Sequence, residues 1–227
     1  MVDNMIAALF SGGKDSTLAV HRAHDMGKDV ELLITMVPEN EYSYMFHKPA
    51  IQFTPMQAEA LGIRQVMSVT KGEKELELED LERVLKENNV TELFTGAVAS
   101  SYQKERIDAI CGRLGITMRS PLWHIEPLEE LRELSSKYDV IITQVAAEGF
   151  DDSLLGSRLD SAMIDKLMAL KDRYRINPLF EGGEAESFVL DAPLFRKSIR
   201  VTSARKERDG QVGKYIIEHA ELVEKIA

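Results

Sequence analysis

The sequence predicts an α/β protein in which a doubly wound parallel sheet precedes a smaller C-terminal α+β part. Short apolar runs alternate with helical patterns through the first half of the chain. At 227 residues, 44% of them hydrophobic, the chain can bury one large core or a core and a smaller second one. A glycine-rich turn follows the first apolar run, where open sheets of this class bind ligands. We place a domain boundary near residue 125, giving domains at 1–125 and 126–227.

Strands and helices alternate in a regular order in the first half. Apolar runs at 5–10 and 30–37 predict strands, the second buried on both faces. A helix is predicted at 17–26, because Leu18, Ala23 and Met26 share one face and Gly27 suits its C-terminal end. The other predicted elements are helices at 56–61, 75–87 and 103–114 and strands at 65–69 and 93–95. This alternation favours parallel pairing with right-handed crossovers.

The pattern changes near Pro121, and the second half contains fewer helices. Helices are predicted at 127–136 and 161–174, with a strong strand at 140–145 between them. The stretch from 198 to 219 predicts a β-hairpin that turns at Asp209-Gly210. The segment 39–55 has no clean period, and irregular stretches of this length are often functional.

Composition excludes several classes of protein. The 28 Lys and Arg against 38 Asp and Glu give a net charge of −10, so we expect no stable partner among nucleic acids. The one cysteine, Cys111, cannot form an internal disulfide, and its place on a predicted helix face makes it a core residue. No apolar run approaches the roughly 20 residues of a membrane span, so we expect a cytoplasmic protein with no membrane partner.

The first of only two glycine pairs lies in the loop 11–16, SGGKDS, between the first strand and the first helix. Glycines allow backbone N–H groups to approach a phosphate, the helix N-terminus adds partial positive charge, and Lys14 adds a full one. The loop is not a Walker A motif, because Ala8 and Asp15 stand where that motif needs glycine and serine or threonine. The simpler interpretation is a glycine turn in which Asp15 or Ser16 caps the helix.

The second glycine pair, Gly182-Gly183, lies between carboxylates at Glu181, Glu184 and Glu186. Such a loop suits a cationic or hydrogen-bonding ligand, whereas an acidic surface turn is the simpler alternative.

These motifs resemble those of two nested groups of enzymes. SGGKDS is similar to the loop of the PP-loop, or N-type ATP pyrophosphatase, group. The segment EGGEAESFVLDAPLF at 181–195 resembles the EGGE motif of the diphthine–ammonia ligase family. Further segments resemble that family in the same order: SYMFH at 43–47, GAVASSYQKERID at 96–108, SPLWH at 120–124 and LLGSRLD at 154–160. Phe180, Ala185 and Ser187 differ from the residues that family members often carry there, whereas the three glutamates are intact.

The resemblance implies a Rossmann-like fold of the adenine-nucleotide α-hydrolase type and an ATP-dependent ligase. It implies that ATP, with magnesium, activates the carboxylate of diphthine on translation elongation factor 2 as an acyl-adenylate, and that ammonia then gives diphthamide, AMP and pyrophosphate. Lys14 and Asp15 would be catalytic, with Asp15 holding the metal. The implied ATP contacts are Ser11, Gly12, Gly13, Lys14, Asp15, Ser16 and Gly96. The implied substrate contacts are Tyr44, His47, Tyr102, Gln103, Glu181, Gly182, Gly183, Glu184 and Glu186.

Several alternatives stay open at the level of the sequence. The chain could be a PP-loop enzyme that modifies tRNA, although the single core cysteine and the acidic charge disfavour this, or an ATP-binding module without catalysis. His47 could move a proton from ammonium or make a structural hydrogen bond, and Tyr44 could simply pack in its loop. A homodimer is also an open alternative.

Overall fold

The computed structural model describes residues 4–39, 50–71, 76–98 and 101–225. Its first sheet contains five parallel strands in the order β3-β2-β1-β4-β5. These strands are β1 (Met5–Leu9), β2 (Leu32–Pro38), β3 (Arg64–Thr70), β4 (Val90–Phe94) and β5 (Thr117–Arg119). The accompanying helices are α1 (Lys14–Asp25), α2 (Thr54–Leu61), α3 (Leu76–Glu87) and α4 (Ser101–Leu114). The predicted doubly wound parallel sheet is therefore confirmed.

The ends of two helices differ from the sequence prediction. α1 begins at Lys14, three residues early, because the extended backbone of Gly13 acts as the N-cap and lets the helix start inside the glycine loop. α2 begins at Thr54 after a short 3₁₀ turn at Ile51–Phe53. Pro55 lies in its first turn, where the missing N–H has no intrahelical partner to lose.

The second sheet is antiparallel and has the order β7-β6-β9-β8. It contains β6 (Asp139–Val145), β7 (Ala185–Asp191), β8 (Lys197–Asp209) and β9 (Val212–Glu224), and the helices α5 (Pro127–Lys137) and α6 (Ser161–Tyr174) precede and follow β6. β8 and β9 form the predicted hairpin, whose turn contains Gly210 with a φ of +56°. The α+β character predicted for the C-terminal part is thus confirmed, whereas the boundary at residue 125 stays a prediction.

One hydrophobic core joins the two sheets. Phe10 and Leu18 of the first part belong to the same buried cluster as Val140 and Phe188 of the second. A separate cluster on the other face of the first sheet contains Cys111, which is buried as predicted. Burial raises the pKa of its thiol to about 11, so it behaves as a core side chain. Within the described ranges, no helix is both long and apolar enough to cross a membrane.

His21 links α1 to the segment that follows β7. Its ring is buried and lies edge-on to the ring of Tyr138. The backbone N–H of Leu194 donates to its Nε2 at 3.1 Å, and the other ring nitrogen, Nδ1, donates to the carbonyl of Thr17 at 2.8 Å. Because Nε2 must accept, the native structure requires the neutral imidazole. Burial accordingly lowers the pKa of His21 below its ordinary value of 6.5.

This arrangement predicts a loss of stability in mild acid. Below pH 6.5 the unfolded chain binds a proton at His21 that the folded chain excludes, so the free energy of unfolding should fall by up to about 1.4 kcal/mol per pH unit. His21→Gln should flatten this slope between pH 7 and 5, measured by thermal denaturation. The matched control is His24→Gln, since His24 is 58% exposed on the same helix. Equal slopes in both variants would contradict the assignment.

Candidate active site

Both glycine loops line one cavity, which lies at the carboxyl ends of β1, β2 and β4 and has a volume of about 160 Å³. The loop 11–16 contributes Ser11, Gly13, Asp15 and Ser16, and the segment that contains the second glycine pair contributes Glu181, Glu186 and Ser187. Thr95 and Gly96 extend the polar wall, and apolar side chains complete the cavity, among them Ile34, Met36, Ile51 and Ile107. The cavity therefore combines backbone N–H groups, carboxylates and an apolar surface in one place.

The loop 11–16 has the backbone geometry that its glycines allow. Gly12 has a φ of +78°, which side chains disfavour, and a Cβ there would lie 2.3 Å from Oε1 of Gln57. The hydroxyl of Ser16 accepts the N–H of Ser11 at 3.2 Å and donates to the carbonyl of Gly13 at 3.1 Å. These bonds fold the loop over the first turn of α1, and the N-terminus of a helix is a favourable place for an anion to bind.

Hydrogen bonds attach this loop to β7. The carbonyl of Gly12 accepts the N–H of Val189 at 3.0 Å and a second bond from Nε2 of Gln57 at 2.9 Å. The same amide group of Gln57 donates to the carbonyl of Val189 at 2.7 Å. The N–H of Lys14 donates to Oγ of Ser187 at 3.1 Å. β7, which begins directly after Glu184, thus holds the loop 11–16 in place.

Gly96 allows the end of β4 to lie directly against the start of α1. A Cβ at this position would be 2.7 Å from the carbonyl carbon of Asp15 and from the N of Ser16. Both are backbone atoms, which cannot move aside as a flexible side chain could. The predicted role of Gly96 near the nucleotide is consistent with this close approach, and Gly96 lines the cavity.

The side chain of Lys14 points away from the cavity into the protein. It is 1% exposed and contacts the carboxylate of Asp15, and its Nζ lies 3.7 Å from Oε1 of Glu130 on α5. Burial by itself lowers the pKa of Lys14, but the carboxylates of Asp15 and Glu130 outweigh it and raise the pKa. Lys14 is therefore a buried cation, and its predicted contact with ATP stays a prediction.

The carboxylates of the EGGE segment have two different surroundings: one binds backbone N–H groups and two line the cavity. Glu184 accepts the N–H groups of Asn177 and Gly182, both at 2.8 Å, so its two oxygens hold the loop. Gly183 has a φ of +81°, which explains the second glycine of the pair. Glu181 and Glu186 line the cavity, and their predicted contact with the substrate stays a prediction. Glu184 and Gly182 do not line it, and their predicted substrate contacts stay predictions.

Four predicted substrate residues cannot be placed. Tyr44 and His47 lie outside the described residues. Tyr102 and Gln103 belong to the first turn of α4, and only their backbone is described.

Sequence reasoning missed two buried polar residues of the site. Glu130 lies beside Leu131 and one turn before Leu134, which are both buried, so it occupies the inner face of α5. Gln57 shares a face of α2 with Leu61 and is completely buried. In both helices the signal was a polar residue at an apolar position of the 3.6-residue pattern.

The fold and the site together define an α/β nucleotide-binding protein with a second, acidic loop at the same cavity. The family model described as Diphthamide synthase N-terminal domain matches residues 4–118, and that of the Diphthamide synthase C-terminal domain matches 126–223. The chain belongs to the diphthamide synthase family, which confirms the predicted resemblance.

Curated relatives carry the name diphthine–ammonia ligase. The human relative is 34% identical over 223 residues, covering 88% of this chain and 83% of its own length. The relative from Schizosaccharomyces pombe is 32% identical over 219 residues, covering 87% of this chain but 36% of that longer protein. A solved structure from Methanocaldococcus jannaschii, described as a predicted subunit of tRNA methyltransferase, aligns with 19% identity and a TM-score of 0.46 over 83% of this chain and 98% of that one. A structural similarity at this level supports no conclusion about function.

The packing at Gly96 predicts opposite effects for two alanine substitutions. Gly96→Ala should destabilise the protein by about 1–3 kcal/mol and weaken ATP binding, because the new Cβ displaces the start of α1. Gly112→Ala is the matched control. Gly112 lies on α4, and a Cβ there would have no atom within 4 Å, so this substitution should stabilise the folded protein by about 0.4–1 kcal/mol. Denaturant unfolding and ATP titration measure both effects. Similar values for the two variants would contradict the close approach.

Proposed function

We propose that this chain is an ATP-dependent ligase that converts the carboxylate of diphthine on translation elongation factor 2 to the amide. The substrate carboxylate attacks the α-phosphorus of ATP, forming an acyl-adenylate and releasing pyrophosphate. Ammonia then attacks the acyl carbon and displaces AMP, leaving diphthamide and one proton. The family membership and the curated relatives named diphthine–ammonia ligase support this reaction.

One observation carries the proposal: the loop 11–16 and the carboxylates Glu181 and Glu186 line the same cavity. A reaction between ATP and a second substrate needs both reactants in contact, and holding them together supplies much of the catalysis. The loop offers N–H groups and a helix N-terminus to the phosphates, where negative charge builds up as pyrophosphate leaves. The apolar wall, which includes Ile34 and Met36, suits the base of the nucleotide.

Magnesium would be held at Asp15. Its carboxylate lines the cavity, is 28% exposed and lies in the loop proposed to bind the phosphates. Among the described residues no group of three or more His, Cys, Asp or Glu could hold a metal. Mg²⁺ is commonly bound by one or two carboxylates together with phosphates and water. When bound, the ion would neutralise charge on the phosphates.

The acidic part of the cavity suits the second substrate. Diphthine carries a quaternary ammonium, which carboxylates attract electrostatically. Glu181 and Glu186 are the carboxylates of the EGGE segment that line the cavity. We propose that they bind this cation, and that ammonium is the source of the attacking nitrogen.

The direct test supplies elongation factor 2 bearing diphthine, ATP, magnesium and ammonium. The proposal predicts AMP, pyrophosphate and the mass change expected when an amide replaces the acid. Without ammonium, pyrophosphate should still exchange into ATP, and only in the presence of the diphthine protein. ATP binding without exchange or product would instead indicate a non-catalytic module, and tight, strongly salt-dependent tRNA binding would indicate a tRNA-modifying enzyme.

Two glutamates of the EGGE loop should respond differently to the same substitution. Glu186→Gln should raise KM for the diphthine protein about tenfold and leave KM for ATP unchanged, since it removes one charge from the substrate end of the cavity. Glu184→Gln should lower the melting temperature, because only one of its two backbone N–H groups keeps an acceptor. Steady-state kinetics and thermal denaturation of both variants check this. A loss of ATP affinity in Glu186→Gln would contradict its placement.

Lys14→Ala should lower turnover by roughly 10²–10³, the size expected for one charge that supports the transition state, because it removes the buried ammonium that contacts Asp15 at the phosphate end of the cavity. The exposed Lys86→Ala is the control for the loss of a positive charge. An unchanged rate in Lys14→Ala would mean that the loop lysine is purely structural.

A further inference from the structure

Glu130 is a buried carboxyl group that the proposed reaction leaves without a role. Its side chain is 0% exposed on the inner face of α5. Neither carboxyl oxygen has a hydrogen-bond partner within the described structure. Burying such a group opposes folding unless a partner compensates, so its presence needs an explanation beyond packing.

The loop lysine, Lys14, lies beside this carboxyl group. Nζ of Lys14 lies 3.7 Å from Oε1 of Glu130 and contacts Asp15. Asp15 in turn lines the cavity, whereas Lys14 and Glu130 do not. The charge of Asp15 also acts on Glu130 directly, so the three side chains form one cluster at the inner end of the cavity: Glu130, Lys14 and Asp15.

The aromatic ring of Phe180 lies next to the Lys14 ammonium. The Lys14 ammonium lies 5.6 Å from the centre of its ring, a distance at which a cation and an aromatic face attract each other. Phe180 is buried and has a φ of +68°, a conformation that a bulky residue adopts at a cost. The surrounding structure therefore holds Phe180 in a costly conformation in which its ring lies near the Lys14 ammonium.

We propose that Glu130 is a positioning residue for the proposed ligase: it fixes the Lys14 ammonium, which in turn fixes the carboxylate of Asp15 at the phosphate end of the cavity. This inference rests on the proposed function. Glu130 supplies the second attachment of Lys14, because an ammonium held by Asp15 alone would move together with that partly exposed side chain. A partner of this kind, one step behind a group that meets the ligand, typically changes activity by about 10–100-fold when it is lost.

The first test measures the position of Lys14 without requiring any activity. Lysines are acetylated with acetic anhydride in the full chain, and the rate at Lys14 relative to exposed Lys86 is read by peptide mass spectrometry. We expect slow labelling in the wild type, a several-fold faster rate in Glu130→Gln, and restored protection in Glu130→Asp. The control is Glu129→Gln, the exposed neighbour on α5, which should label like the wild type.

The second test is kinetic. Glu130→Gln should lower kcat of ATP–pyrophosphate exchange about tenfold and leave KM for ATP within about twofold, because the backbone contacts of the ground state remain. In a Lys14→Ala background the same substitution should have no further effect, since it acts through that lysine. The melting temperature of Glu130→Gln is measured alongside, because a purely structural role would lower it without lowering kcat.

The outcomes separate this inference from the proposed function. Absence of exchange in the wild type would overturn the function, and the labelling result would still decide the positioning. Unchanged labelling of Lys14 in Glu130→Gln, an effect on kcat that adds to that of Lys14→Ala, or a lower melting temperature with normal kcat would each overturn the positioning role.

Discussion

The organisation of this protein depends on the hydrogen bonds by which β7 holds the loop 11–16. The carbonyl of Gly12 accepts from the backbone of Val189 and from the amide of Gln57, so groups distant in sequence fix one peptide unit. Ordering a glycine-rich loop costs much conformational entropy, and these hydrogen bonds offset that cost. Because β7 begins directly after Glu184, the same bonds bring the acidic loop that contains Glu181 to the cavity. The two halves of the chain therefore make one site.

The ionisable groups of the site are arranged in two layers. Asp15, Glu181 and Glu186 face the cavity, whereas Lys14 and Glu130 are buried behind it. Burial raises the pKa of Glu130 to about 8, and the negative charges of Asp15 and Glu181 act in the same direction, against the attraction of Lys14. Charges in such surroundings interact more strongly than charges at the surface, which suits a site that must respond to phosphate charge. Their burial lowers stability, as is common where function sets the environment.

Much of this architecture could be predicted from the sequence, because it depends on local patterns. The apolar runs and the glycine pair gave the parallel sheet and the position of its loop, and the Asp209-Gly210 turn gave the hairpin. The contact of the loop with β7 could not be predicted, since it joins residues about 175 positions apart through backbone atoms that carry no sequence signal. Glu130 was missed for a related reason: its partner is identified only by the packing of α5 against α1. Likewise the sequence did not reveal that Lys14 is buried between the carboxyl groups of Asp15 and Glu130, and its contact with the phosphates stays a prediction.

We infer that one cavity holds ATP on the loop 11–16 and presents Glu181 and Glu186 to the second substrate. A crystal structure with magnesium and an ATP analogue that resists cleavage between the α- and β-phosphates tests it most directly. We expect the phosphates to accept hydrogen bonds from the N–H groups of this loop, with no protein between the α-phosphate and the two glutamates. A nucleotide bound elsewhere, or phosphates separated from these glutamates by protein, would contradict it.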